Sequence, residues 1–147
     1  MSYLAVIMKK SLLLFLLIPL QLQSVEPEDM IEDFFDNLAA RSYTRAIDYF
    51  FTGNKRMLPE HLNGIKTQVS SHLSANGAFY SYDKVGKEEH TKYFHSYTYL
   101  IRYEKELVFV QLYFYKPKDR WMGYNLLIHG DENKINDYFY RQKLVKP

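Results

Sequence analysis

Residues 95–117 read "HSYTYLIRYEKELVFVQLYFYKP", with an aromatic ring at almost every second position on either side of the Glu104-Lys105-Glu106 corner. Rings and β-branched residues spaced by two, interrupted by a short polar corner, predict a β-hairpin. Successive side chains of a strand point to opposite faces. In the first strand Tyr93, His95, Tyr97, Tyr99, Ile101 and Tyr103 therefore share one face, and Phe94, Ser96, Thr98, Leu100 and Arg102 the other. In the second strand Leu107, Phe109, Gln111, Tyr113 and Tyr115 alternate with Val108, Val110, Leu112 and Phe114. The last set is the more uniformly apolar and is the predicted face beneath a helical layer.

Register decides what the tyrosines meet. A two-residue loop pairs Tyr97 with Leu112 and Tyr99 with Val110; a three-residue loop pairs Tyr97 with Tyr113 and Tyr99 with Gln111. Neither Glu104 nor Lys105 suits the positive φ that a two-residue hairpin turn wants, so the longer loop is expected. It would gather Tyr97, Tyr99, Gln111, Tyr113 and Asn125 on one polar-aromatic face, with Trp121 sharing the face of Asn125. These five are the predicted ligand-binding residues. Tyrosine has an apolar body and a polar tip, so such a face suits a homodimer packed sheet to sheet, or a glycan or peptide. Plain cross-strand packing, at about 0.2–1 kcal/mol per pair, is the competing explanation.

Outward from the hairpin, "AFYSYDKV" and "WMGYNLLIH" read as further strands, with breaks expected at Gly86 to Glu89 and at Pro117 to Arg120. Short connections imply an antiparallel meander. The preceding third of the chain switches to helical period. "EPEDMIEDFFDNLAARS" places Ile31, Phe34, Phe35 and Leu38 on one face behind Pro27 and a run of acids. "YTRAIDYFF" follows, with Thr44 as the expected cap and Gly53-Asn54 as the stop. A third helix is expected from Pro59 to about Ala75, striped by Leu62, Ile65, Val69 and Leu73 and stopped at Asn76-Gly77. Helices first and strands after predict an α+β fold. Residues 131–147 read either as a short closing helix or as a loose tail.

The chain has 147 residues, 47% hydrophobic and 24% charged, with a net charge of +2 and no cysteine. That composition is of a single folded domain. Scattered cations predict no nucleic-acid partner and no polybasic membrane patch. At the start, Lys9-Lys10, the apolar run "SLLLFLLIPL" and Ser24 form a signal-peptide pattern, so residues 1–24 are expected to be removed and the product to be periplasmic or secreted. The apolar run is short for a bilayer core of about 30 Å and is broken by Pro19, so no stable membrane anchor is expected after cleavage. Met8 is an alternative start.

"MIEDFFDNLAARSYTRAIDYF", followed by "YLIRYEKELVFVQLYFYKPKDRWMGYNLLI", resembles the opening helices and the closing curved sheet of NTF2-like (cystatin-like, SnoaL-type) domains. The resemblance spans residues 25–130 and implies an α+β cone: N-terminal helices packed on a curved antiparallel β-sheet, with a pocket between them. It implies no particular chemistry, because one superfold hosts enzymes, binders and assembly modules.

Acid–base catalysis in such a cone needs carboxylates or histidines inside it. Thr91 to Tyr103 and Leu107 to Lys116 contain no Asp or Glu. A dyad would require His95 or His129 to meet Asp48, Asp33 or Asp36. His90 and His95, five apart in a strand, point to opposite faces. His61 and His72 share a helix face but lie about 16 Å apart along its axis. No catalytic residue, metal site or cofactor is therefore expected, and the basic run Lys116 to Arg120 reads as a solvated hairpin loop. The expectation is an exported, non-enzymatic domain that binds a small hydrophobic ligand or a protein partner. The alternatives are a small isomerase- or dehydratase-type enzyme and a dimerising envelope module.

Overall fold

The computed structural model describes residues 24–145, so the expected signal peptide, apart from Ser24, lies outside the described residues. The chain forms helices α1 (Pro27–Ala39), α2 (Tyr43–Phe50) and α3 (Pro59–Ser74), strands β1 (Phe79–Thr91), β2 (Phe94–Tyr103), β3 (Leu107–Tyr115) and β4 (Met122–His129), and a closing helix α4 (Glu132–Val145). The four strands make one antiparallel, curved meander in the order β1-β2-β3-β4. The α+β expectation holds, and the C-terminal segment resolves as a helix.

Local chemistry accounts for the helix bounds. Pro27 opens α1, where its missing N–H costs nothing, and the Asp29 carboxylate accepts the Glu26 N–H at 3.3 Å. Arg41, at φ 58°, turns the chain into α2. Thr44 does not cap that helix: α2 starts at Tyr43, with Ser42 at the boundary. Pro59 opens α3, whose Val69 and Leu73 are buried and whose Leu62 and Ile65 are partly so.

The inner face of the sheet meets α1 and α2 through rings. Phe34, Phe35, Leu38, Ile47 and Phe50 are fully buried against Tyr97, Ile101, Val108, Val110, Leu112 and Phe114. Phe50 and Phe114 sit edge to face at 5.4 Å, as do Tyr97 and Phe114 at 5.5 Å, the geometry that aromatic quadrupoles favour. The cone interior is thus filled by side chains along α1 and α2.

The structure corrects the hairpin register. Tyr97 pairs with Leu112 and Tyr99 with Val110, the arrangement of the two-residue loop. Glu104 and Lys105 keep negative φ, so the loop is not held by a positive-φ turn. Bonds from elsewhere in the chain hold it instead. Glu104 N–H donates to the Ala78 carbonyl (2.8 Å), Lys105 N–H to the Asn76 carbonyl (3.1 Å), and Ala78 N–H to the Glu104 carboxylate (3.1 Å). Gly77, at φ 80°, lets the 76–78 segment pass close to Glu104. The segment after α3 therefore grips the hairpin tip and sets the pairing.

Two further expectations are corrected. Gly86 to Glu89 is not a break: β1 continues to Thr91 with an irregularity between Lys84 and Gly86, and the turn falls at Lys92-Tyr93. An edge strand tolerates this polar run because one side of it faces water. Trp121 and Asn125 do not share a face. Tyr113 pairs with Asn125 but Phe114 with Gly123, so Tyr124 is an extra residue that inverts the alternation. Trp121 is buried in the inner core, while Asn125 is exposed.

The opposite, outer face divides in two. α4 lies across one half, with Tyr138 against Phe109 at 5.0 Å and Gln142 Nε2 donating to Glu88 at 2.9 Å. The other half carries Phe94, Tyr113, Tyr115 and Tyr124, in ring-to-ring contact with one another.

Candidate binding groove between α3 and β4

α3 packs on α2, to which the Lys66–Asp48 ion pair ties it, and stands off from β4. At one end Asn54, itself buried, donates from Nδ2 to the Gly123 carbonyl (2.9 Å) and accepts the Arg56 N–H (3.0 Å). Gly123 is required there, because a Cβ would collide with the Phe50 carbonyl and ring. The clamp leaves a groove of about 740 Å³ between helix and strand, within the range of small-molecule sites. Ile65 and Val69 of α3 face Leu126 and Ile128 of β4; Thr67, Gln68 and Ser71 form a polar rim; His72 and His129 stand at the far end. A narrower hollow of about 330 Å³ continues from Ile65 past His61, Met57, Arg56, Tyr124 and Asn125.

The electrostatics of the groove are mild. Its lining carries no carboxylate. His72 Nε2 is buried without a protein hydrogen-bond partner. Burial lowers the pKa of His129; Lys134 and His72 act in the same direction, opposed by Asp131. The His129 ring is thereby held toward its neutral form, which suits an apolar or neutral guest. Among the described residues no group of His, Cys, Asp and Glu is arranged to hold a metal.

Of the five residues predicted to bind, the structure brings three together. Tyr113 Oη donates to Gln111 Oε1 at 2.9 Å, and Tyr113 pairs with Asn125 across β3 and β4 on the outer face. Asn125 also lines the narrower hollow. Tyr97 and Tyr99 lie on the inner face, with only 1% and 6% of their surface exposed. His61 and His72, weighed in the sequence as metal ligands, and His129, weighed as a dyad member, line the cavities. Their signal was present in the eleven-residue spacing of His61 and His72 along one helix face; the facing strand was not.

Two constellations elsewhere could suggest catalysis. Tyr97 Oη donates to Glu28 Oε1 at 2.7 Å, and Lys87 Nζ bridges Glu28 (3.2 Å) and Glu89 (3.0 Å). Burial and the Glu28 bond push the Tyr97 phenol up. For Glu28, burial works upward, but bonds from Tyr97 and Lys87 overcome it and the carboxyl ends below its usual range. Lys87 is raised, chiefly by its bond to Glu89. Each shift locks its group in its ordinary charge state, the reverse of what proton transfer near neutrality needs. The second constellation is Ser96 Oγ, 2.9 Å from His90 Nε2, with Glu88 3.8 Å from the same nitrogen. In a relay the carboxylate holds the opposite ring nitrogen. Here both partners share one, and Ser96 is 2% exposed. Neither His95 nor His129 is bonded to a carboxylate among the described residues; His95 lies against Trp121 at 4.5 Å, and Asp48 is taken by Lys66.

Three helices on the inner face of a curved antiparallel meander define the NTF2-like fold, and the chain has it. A crystal structure from Campylobacter jejuni, provisionally named an NTF2-like transpeptidase, is similar with a TM-score of 0.51 at 16% identity, covering 67% of this chain and 97% of that one. No family model and no curated protein matches the sequence.

Proposed function

We propose that this protein is an exported, non-enzymatic NTF2-like domain that binds a small hydrophobic ligand in the groove between α3 and β4. The observation that carries the reading is the lining: Ile65, Val69, Leu126 and Ile128 under a polar rim without a carboxylate. The name transpeptidase belongs to the Campylobacter jejuni protein. Acyl transfer requires an accessible nucleophile with a base behind it. This chain has no cysteine, and Ser96, beside His90, is itself buried and lacks a relay, which supports a binding role over that chemistry. α4 across half of the outer face weighs against a homodimer that uses the whole sheet.

Gln68 is an exposed rim residue, so Gln68→Trp fills the groove without touching the core. The neutral apolar probe N-phenyl-1-naphthylamine is expected to brighten on binding the wild type, and Gln68→Trp to weaken it at least about tenfold, a change of roughly 1.4 kcal/mol. Equal brightening by both proteins would remove the groove reading. Export is checked separately, by N-terminal sequencing of protein recovered from its host; retention of residues 1–24 would rule out the cleaved form.

A further inference from the structure

The aromatic half of the outer face is a second concavity, which shares no residue with the α3–β4 groove itself and meets its narrower continuation at Arg56 and Tyr124. Phe94, Tyr115, Met122 and Tyr124 line a depression of about 410 Å³ with Arg56 at its rim. Beyond Tyr115 the surface continues into a hollow of about 340 Å³ formed by Tyr93, Lys116, Pro117 and Lys118. Tyr115 thus separates two adjoining subsites on one face.

The rings are held open rather than packed away. Tyr124 stands edge-on to Phe94 at 5.7 Å and to Tyr115 at 5.9 Å, and its hydroxyl accepts a hydrogen bond from Arg56 Nη1 at 2.7 Å. Tyr93 and Tyr115 nevertheless remain 46% and 36% exposed. Contiguous exposed rings on a folded domain mark an interaction surface. The charges beside them have one prevailing sign: Arg56, Lys116 and Lys118 line the two subsites without an acid, and Lys92 Nζ lies 4.8 Å from the Tyr93 ring centre. Asp119 is the single acid in the loop from Lys116 to Arg120.

We infer that this face binds an acidic polysaccharide, a chain of uronic-acid-type sugars. The apolar C–H face of a pyranose ring lies flat on a tyrosine or phenylalanine, and two adjoining subsites match successive sugars of one chain. Ring carboxylates then meet Arg56 on one side and Lys116 or Lys118 on the other, where charge-assisted bonds are strongest. Simple charge attraction would need only the cations, and simple stacking only the rings. Their interleaving selects a ligand that carries both features.

The test is calorimetric titration at physiological salt with an octamer of galacturonic acid, its methyl-esterified form, poly-glutamate and oligothymidylate. Binding of the acidic octamer is expected, with loss on esterification. Tyr115→Ala and Arg56→Gln should each weaken it at least about tenfold, equivalent to roughly 1.4 kcal/mol. Lys118→Gln, in an exposed loop with no packing role, should weaken it several-fold with unchanged melting. Gln68→Trp should leave it intact, which separates this face from the groove. The inference is overturned by absence of octamer binding, by unchanged binding in Tyr115→Ala, or by poly-glutamate or oligothymidylate binding as tightly as the sugar.

Discussion

On the inner face of β2 and β3, Tyr97, Tyr99 and Tyr103 stand among Val108, Val110, Leu112 and Phe114, and none of the seven exceeds 6% exposure. On the outer face of the same strands and the adjoining end of β4, Phe94, Tyr113, Tyr115 and Tyr124 touch one another and stay partly or largely open to solvent. Residue type does not distinguish the tyrosines of the two groups. What differs is the layer above them: α1 and α2 close the inner face, whereas α4 crosses only the Phe109 half of the outer one. An identical ring is core material under a helix and a contact surface beside its end.

The largest effect that separates the faces is truncation. Tyr97→Ala should lose about 3–5 kcal/mol, as for a fully buried aromatic, while Tyr115→Ala should lose less than about 1 kcal/mol in urea unfolding. Comparable losses would break the distinction. Next in size, Gly123→Ala forces a methyl into the Phe50 carbonyl and ring and should cost about 1–3 kcal/mol, read as a lower unfolding midpoint. Smaller still, Tyr97→Phe removes the hydrogen bond to Glu28 but keeps the ring, and a cost of about 1–2 kcal/mol is expected in the same assay.

The inner phenols also predict a pH dependence. Burial raises Tyr99 to about 12 and pushes Tyr97 and Tyr103 up as well. A group whose folded pKa is raised contributes stability that is present below its unfolded pKa, about 10 for tyrosine, and is lost as pH climbs toward the folded value. Stability should therefore decline above about pH 10, with Tyr99 ionising near pH 12 in an ultraviolet titration. Glu28 acts with the opposite sign. Its folded pKa is lowered, so its contribution is present above the unfolded value and is lost as acid protonates it. Tyr97→Phe should move that acid-side loss to higher pH.

Much of this arrangement was legible in the chain. The switch from helical period before Ser74 to alternation after Phe79 gave the order of elements, and Val108, Val110, Leu112 and Phe114 were the core face of β3 by composition alone. The polar run Gly86 to Glu89 misled because it sits on an edge strand, where exposure relaxes the usual strand composition. The α3–β4 groove was half visible, as a helix stripe with nothing in the sequence to say which strand faces it.

Alternation determines which residues of one strand lie together; it does not determine which face of the neighbouring strand they join. That choice rests on a one-residue difference in pairing. Glu104 and Lys105 have no local preference for the turn they make, and the preference comes from Asn76 and Ala78, about a quarter of a hundred residues earlier in the chain, whose backbone groups close on the hairpin tip. The sequence by itself determined two alternating strands rich in tyrosine within an α+β chain. Only the tertiary structure decided that Tyr97 and Tyr99 are core while Tyr113 and Tyr115 face outward, because the bonds that set the register join segments far apart in sequence.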